Sequence, residues 1–245
     1  IKDIHQQSKQ RYGSPRIQKT LHAQGKDPSL GRIKRLMRKN GIYSIVTPDF
    51  KPRVQEEVKP GLEMTNLLKQ EAFEMTTINQ VWYVDITYIH TLEGWLYLAG
   101  VIDGFSKRVV GYAMADHMKT DLVIQALRMA VKHRRPPKGL IHHSDKGTQY
   151  TSYAYQNELS IWCMKPSFTG TGACLDNAFI ESFWATLKKE LVHQTVFTTR
   201  EEARAAIFEF IEVFYNRYRL HSSLDYTSPV TFEARLDAKQ LGLAA

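Results

Sequence analysis

Cysteine is scarce in this chain, and its two thiols, Cys163 and Cys174, fit no metal-binding spacing. The absence of any CxxC or finger pattern excludes a zinc ribbon, and two cysteines in so large a basic chain exclude a disulfide-stapled scaffold. Both are expected as buried thiols in a reducing compartment. No run approaches the ~18 apolar residues of a membrane helix, and no secretory signal opens the chain. Repeats and low-complexity tracts are also missing, which excludes solenoids. Ile1 already falls inside a helical pattern, so the chain is expected to be the downstream part of a longer protein.

Acid is in short supply too. There are 33 lysines and arginines against 25 acids among 245 residues, a net charge of +8. That balance suits a polyanionic partner. Basic residues concentrate in 1–59, near 128–138 and across 188–219. Apolar residues make up 43%, enough for one large domain and a smaller one.

Residues 1–46 predict three short helices. The first ends near Tyr12-Gly13, Ser14-Pro15 opens the second, and Gly25 closes it. Ser29 caps the third, where Ile33, Leu36 and Met37 form a core stripe. Arg32, Arg35 and Arg38 lie on the remaining faces of that helix. A basic third helix behind a glycine-containing turn predicts a helix-turn-helix domain that offers these arginines to DNA. Prolines at 48, 52 and 60 mark 47–78 as an extended linker, with a short helix near 62–71.

From residue 79 onward the period changes. Trp82–Ile89, Trp95–Ile102 and Lys107–Ala113 predict an antiparallel meander, turned by Gly94 and Asp103-Gly104. A helix at 121–133, a strand at 139–143, a helix at 148–160, an edge strand at 161–165 and helices at 176–192 and 201–218 follow. The stretch 220–235 is expected to be irregular and then briefly helical. This order predicts an α/β fold with a mixed sheet flanked by helices, spanning 79–240 with a helical C-terminal extension.

Three acids stand out. Asp85 is mid-strand, where a charge is unfavourable and needs a reason. Asp145 ends a short strand, where sites in α/β sheets commonly lie. Glu181 occupies a helix whose other residues are largely apolar. Carboxylates brought together from separate elements suit hard Mg²⁺ ions and phosphodiester chemistry. Asp103, Asp121 and Asp176, by contrast, are expected as a turn residue, a helix start and a helix cap.

The segments Trp82-Tyr83-Val84-Asp85-Ile86-Thr87-Tyr88, Gly94-Trp95-Leu96-Tyr97-Leu98, His143-Ser144-Asp145-Lys146-Gly147, Asp176-Asn177-Ala178-Phe179-Ile180-Glu181-Ser182-Phe183-Trp184 and Tyr215-Asn216-Arg217-Tyr218-Arg219-Leu220-His221 carry a resemblance. With them the chain resembles the DDE transposases of the bacterial IS-three insertion sequences, relatives of retroviral integrases. The resemblance implies an RNase H-like fold behind a helix-turn-helix domain, and Asp85, Asp145 and Glu181 as a catalytic metal triad. It further implies two Mg²⁺ ions, replaceable by Mn²⁺, and Lys188 as a DNA contact one helix face along from Glu181.

Asn177 shares that face, and His143 neighbours Asp145; either is a candidate for DNA. Arg217 and His221 join them, from a basic stretch with aromatic neighbours that suits stacking and phosphate contacts. The implied partners are terminal inverted repeats, target DNA and further copies of the chain, in the bacterial cytoplasm and at the nucleoid. The implied activity is metal-dependent nicking followed by strand transfer. An RNase H-like nuclease that cuts without joining, and a catalytically silent DNA-binding repressor, are the alternatives.

Overall fold

A computed structural model describes residues 1–46, 65–69, 73–170 and 177–240. Helices α1 (Lys2–Gln7), α2 (Ser14–Ala23) and α3 (Leu30–Lys39) form the first unit. Pro15 falls in the first turn of α2, where its missing N–H costs nothing. Ser29 caps α3, its side chain accepting from the Arg32 amide at 3.3 Å. Ile33 and Met37 are buried, while Arg32, Lys34, Arg35, Arg38 and Lys39 are exposed. The helix therefore spends its apolar stripe on its neighbours and turns its charge outward.

The second unit is built on a sheet of order β3-β2-β1-β4-β5 among the described residues. Its strands are β1 (Val81–Thr91), β2 (Gly94–Asp103), β3 (Val109–Ala115), β4 (Ile141–Ser144) and β5 (Lys165–Phe168). The first three form the antiparallel meander, and β4 and β5 add in parallel. Helices α4 (Thr120–Arg134), α5 (Thr148–Thr151) and α6 (Tyr153–Ile161) cover one face with a core that includes Trp82, Val84, Leu127 and Leu159. Helices α7 (Ala178–Glu190) and α8 (Arg200–Phe208) cover the other, with Ile89, Leu98, Phe183 and Leu187 in the core. Pro229–Gln240 forms α9.

Several elements differ from expectation. The helix expected at 148–160 is broken at Ser152, whose side chain caps α6 by accepting from the Tyr155 amide at 3.3 Å. The edge strand falls at Lys165–Phe168, not 161–165, because α6 runs through Ile161 and Cys163 turns the chain at φ 52°. Cys163 is exposed, not buried; Cys174 lies outside the described residues, as does Asp176. Asp103 does more than turn the chain. It is fully buried, and its carboxylate accepts from the amides of Asn79, Phe105 and Ser106 and from the Ser106 hydroxyl.

The helix expected at 201–218 widens into a π-helix at Glu209–Tyr215, whose turn carries Phe210, Ile211, Phe214 and Tyr215 inward together. The Asn216 amide accordingly bonds Ile211 O, five residues back, at 3.0 Å. Of the expected linker, only 65–69 and 73–78 are described. The described part of the helix expected near 62–71 holds a 3₁₀ turn, Leu67–Lys69, beside β5, with the Leu67 amide donating to Ser167 Oγ at 3.0 Å; 62–64 and 70–71 lie outside the described residues.

The two units are joined by specific bonds. The Tyr12 hydroxyl donates to Tyr218 O at 2.9 Å and accepts from the Leu220 amide at 3.0 Å. Arg11 Nε donates to Glu190 O at 3.0 Å, and its guanidinium lies 4.3 Å from the Phe214 ring centroid.

Candidate active site

Strand β1 outruns its parallel neighbour. Pairing with β4 covers only Val81, Trp82 and Tyr83, so from Val84 onward β1 leaves a crevice beyond the carboxyl end of β4. Open α/β sheets bind ligands at such points. Asp85 sits on β1 just past the last paired residue, and Asp145 follows the last residue of β4. Glu181 lies in the first turn of α7, which packs on β1 and β2.

Asp85 is half-buried at the mouth of this crevice. Its Oδ2 accepts a hydrogen bond from Trp184 Nε1 at 2.9 Å. Trp184 has room because the cross-strand partner of Asp85 is Gly100. A Cβ on Gly100 would meet Trp184 Cη2 at 2.7 Å, inside contact distance. The Gly100–Trp184–Asp85 stack thus fixes one carboxylate from two strands and a helix. Asp145 is exposed, and its Oδ1 accepts from the Gly147 amide at 2.9 Å, which closes the turn after β4.

Asp85 feels both other acids. Burial, then the nearby charge of Asp145 and more weakly that of Glu181, push the Asp85 carboxyl up to about 7, against the opposing hydrogen bonds at Ile86 and from Trp184. A carboxylate raised by burial first and by acidic neighbours second gains from added positive charge, which a hard divalent cation with oxygen ligands supplies. In chemistry, an all-carboxylate donor set suits such an ion. The cluster is open: among the described residues no three His, Cys, Asp or Glu side chains are drawn tightly enough together to hold a metal ion.

The other sequence candidates are placed as follows. Lys188 lies on α7 beyond Glu181, half-buried, with Nζ 5.0 Å from the ring centroid of exposed Tyr88. Asn177 is the buried N-cap position of α7. His143 is fully buried, its Nδ1 2.9 Å from Ser167 Oγ. His221 is also buried, edge-on to Tyr215, and burial and the Arg219 charge hold its ring neutral, lowered to about 3. Both histidines are buried. Arg217 is exposed, as are Arg32, Arg35 and Arg38 on α3. The α3 arginines and the acidic crevice occupy different units.

Two residues escaped sequence reasoning. Trp184 is three positions after Glu181, on the same helix face, which is a usable signal; its apolar neighbours masked it as core. Gly100 gave no signal, since its role depends on a cross-strand register.

Comparisons agree across the chain. Family models described as "Integrase core domain" match residues 76–174 and 163–229, and one described as "HTH-like domain" matches 1–49. The transposase for insertion sequence element IS904 of Lactococcus lactis is 42% identical over 95% of this chain and 91% of that protein. Transposase InsF for insertion sequence IS3A of Escherichia coli is 40% identical over 92% of this chain and 78% of its own length. Among solved structures, a chain of the simian T-cell lymphotropic virus intasome, in complex with PP2A regulatory subunit B56 gamma, shares the fold. It has a TM-score of 0.52 at 15% identity, covering 88% of this chain and 69% of that one.

Proposed function

Because the chain belongs to the insertion-sequence transposases with an integrase core domain, we propose that Asp85, Asp145 and Glu181 are its catalytic metal ligands. Integrase core domains as a family generally use a divalent metal. We assign Mg²⁺ here, two ions, with Mn²⁺ as the substitute. The observation that carries the assignment is the placement of the three acids: β1, the end of β4 and the first turn of α7 bring them to one crevice, where Trp184 Nε1 holds Asp85 at 2.9 Å.

Bound metal of this kind activates an attacking oxygen and stabilises a leaving one in an in-line displacement. The chain's own residues do the rest. Trp184 holds Asp85 in one orientation, so its carboxylate needs no rearrangement at the moment of reaction. Lys188, farther along α7, neutralises a phosphate beside the scissile bond. Arg32, Arg35 and Arg38 on α3 enter the major groove of a terminal repeat. Water attack at the element end frees a 3′-OH, and that hydroxyl attacks a second phosphodiester. No protein–DNA covalent bond forms. Bridging two terminal inverted repeats and a target requires more than one copy of the chain. The setting is the bacterial cytoplasm, on nucleoid DNA.

Labelled DNA carrying the element's terminal repeats, incubated with Mg²⁺ or Mn²⁺, tests this with the wild type against Glu181→Gln. Nicking and joining in the wild type, both lost in the variant, is the expected result. Nicking without joining indicates a nuclease. Binding without any metal-dependent product indicates a silent repressor.

A further inference from the structure

A cleft of about 300 Å³ opens where α2, the segment after the π-helix and α9 meet. Its lining includes three cations, Lys19, Arg217 and Arg235, and no acid. None of the three makes an ion pair among the described residues. By contrast, the nearby buried Arg219 is neutralised by Glu190 at 2.8 Å. Three uncompensated cations converging on one concave surface form a site of strong positive potential.

The same cleft is lined by Tyr218 and Tyr226, with the buried Tyr12 beneath them. Tyr12 and Tyr218 stack with centroids 5.8 Å apart and planes at 21°. Lys19 Nζ stands 5.2 Å over the Tyr226 ring. The walls are built rigidly. The Tyr12 hydroxyl ties into Tyr218 O and the Leu220 amide, and Arg16 Nε donates to Leu220 O at 2.9 Å. Asp225 and Tyr226 both have positive φ, 50° and 55°, a left-handed pair that non-glycine residues rarely adopt. That strained turn carries the Tyr226 ring into the cleft wall.

Unpaired cations beside tyrosine faces match one chemical class, a phosphate with an adjoining base. The volume, at the small end for ligand sites, suits a single nucleotide unit. The geometry points to this cleft as a second DNA-binding site, which takes a backbone phosphate of the DNA read by α3 and, where the strand is unpaired, the neighbouring base. Because the cleft is shared by α2 and the catalytic unit's C-terminal extension, one DNA strand held there touches both units at once. This rests on the transposase reading, which supplies the DNA.

Fluorescence anisotropy of the full chain with a terminal-repeat duplex, across a salt series, tests the proposal. Lys19→Ala, Arg217→Ala and Arg235→Ala each weaken binding roughly tenfold and lower the salt slope by about one. Tyr226→Ala weakens binding while Tyr226→Phe retains it. All these positions sit at the cleft surface, and unchanged melting temperatures establish that the variants fold. Arg35→Ala on α3 is the control for DNA recognition as such. Should the wild type not bind the duplex at all, the transposase reading fails along with the cleft. If Arg35→Ala weakens binding while the cleft variants match the wild type in affinity and slope, the cleft proposal alone is overturned. It is overturned equally if inorganic phosphate or a free mononucleotide raises the melting temperature through Lys19 and Arg217 while duplex affinity ignores both.

Discussion

Trp184 reaches Asp85 only because Gly100 stands opposite Asp85 across the β1–β2 ladder. The aspartate, the indole and the missing side chain are one arrangement, since a methyl group at 100 and the indole at 184 cannot share the space. In Gly100→Ala the ring must leave, and with it the hydrogen bond that orients Asp85. Nicking by this variant is expected to fall about 10- to 100-fold, the scale of a small misplacement at a reacting centre. Duplex affinity, read by anisotropy, stays at the wild-type value.

Divalent metal should stabilise the folded protein in proportion to the repulsion it relieves. Added Mg²⁺ is expected to raise the melting temperature of the wild type by mass action. Asp145→Asn, which removes one proposed ligand and the stronger of the two acidic charges acting on Asp85, is expected to lose most of that gain. A gain of equal size in the variant would place the ion elsewhere.

Acid should unfold the protein through His142 and His221. Both are buried, and burial, with the Arg219, Arg16 and Lys107 charges at His221, lowers each from 6.5 to about 3. The unfolded chain therefore takes up their protons first as pH falls. Their contribution is fully present above about pH 6.5 and is lost progressively toward pH 3, at up to ~1.4 kcal/mol per pH unit for each ring. His221→Phe keeps a ring against Tyr215 and removes a buried nitrogen, Nε2, that has no hydrogen-bond partner. Urea titrations at pH 7.5 and 4.5 should show a smaller acid loss in this variant.

Arg219 and Glu190 form a buried, two-point ion pair, with both guanidinium nitrogens Nε and Nη2 donating to the carboxylate. Removing one partner strands the other's charge. Arg219→Ala is expected to lose about 3–5 kcal/mol of unfolding free energy. The double variant Arg219→Leu with Glu190→Leu should recover a large part of it. Equal losses in the single and double variants would mean that packing, not charge, is at stake.

Much of the architecture was legible because its periods are clean. The Ile33, Leu36, Met37 stripe announced α3, and the alternation through Trp82–Ile89 announced β1. The acids were legible because a charge in mid-strand, as at Asp85, has no local explanation. The edge strand was misplaced because Ile161 and Trp162 read as its start, yet they are exposed at the end of α6. The π-helix at Glu209–Tyr215 was invisible because a change from four-residue to five-residue bonding follows from tertiary packing of Phe210 and Phe214. Asp103 read as a turn because turn and buried hub use the same residue type. Asn216 was seen as part of a basic stretch, yet it pairs both ways with the Val109 backbone, at 3.0 and 2.9 Å.

Arg11 bonds the last residue of α7, and Glu181 stands in that helix's first turn. A 13-residue helix is about 20 Å of rigid rod. The tie to the first unit and the acidic crevice thus sit toward opposite ends of one helix, and on the proposed function the first unit's hold on DNA is set at a fixed distance from the site of cutting. On that reading protein length measures spacing along the DNA, and base pairs inserted between a repeat and its terminus are expected to move the cut to a new sequence instead of letting it follow the old one.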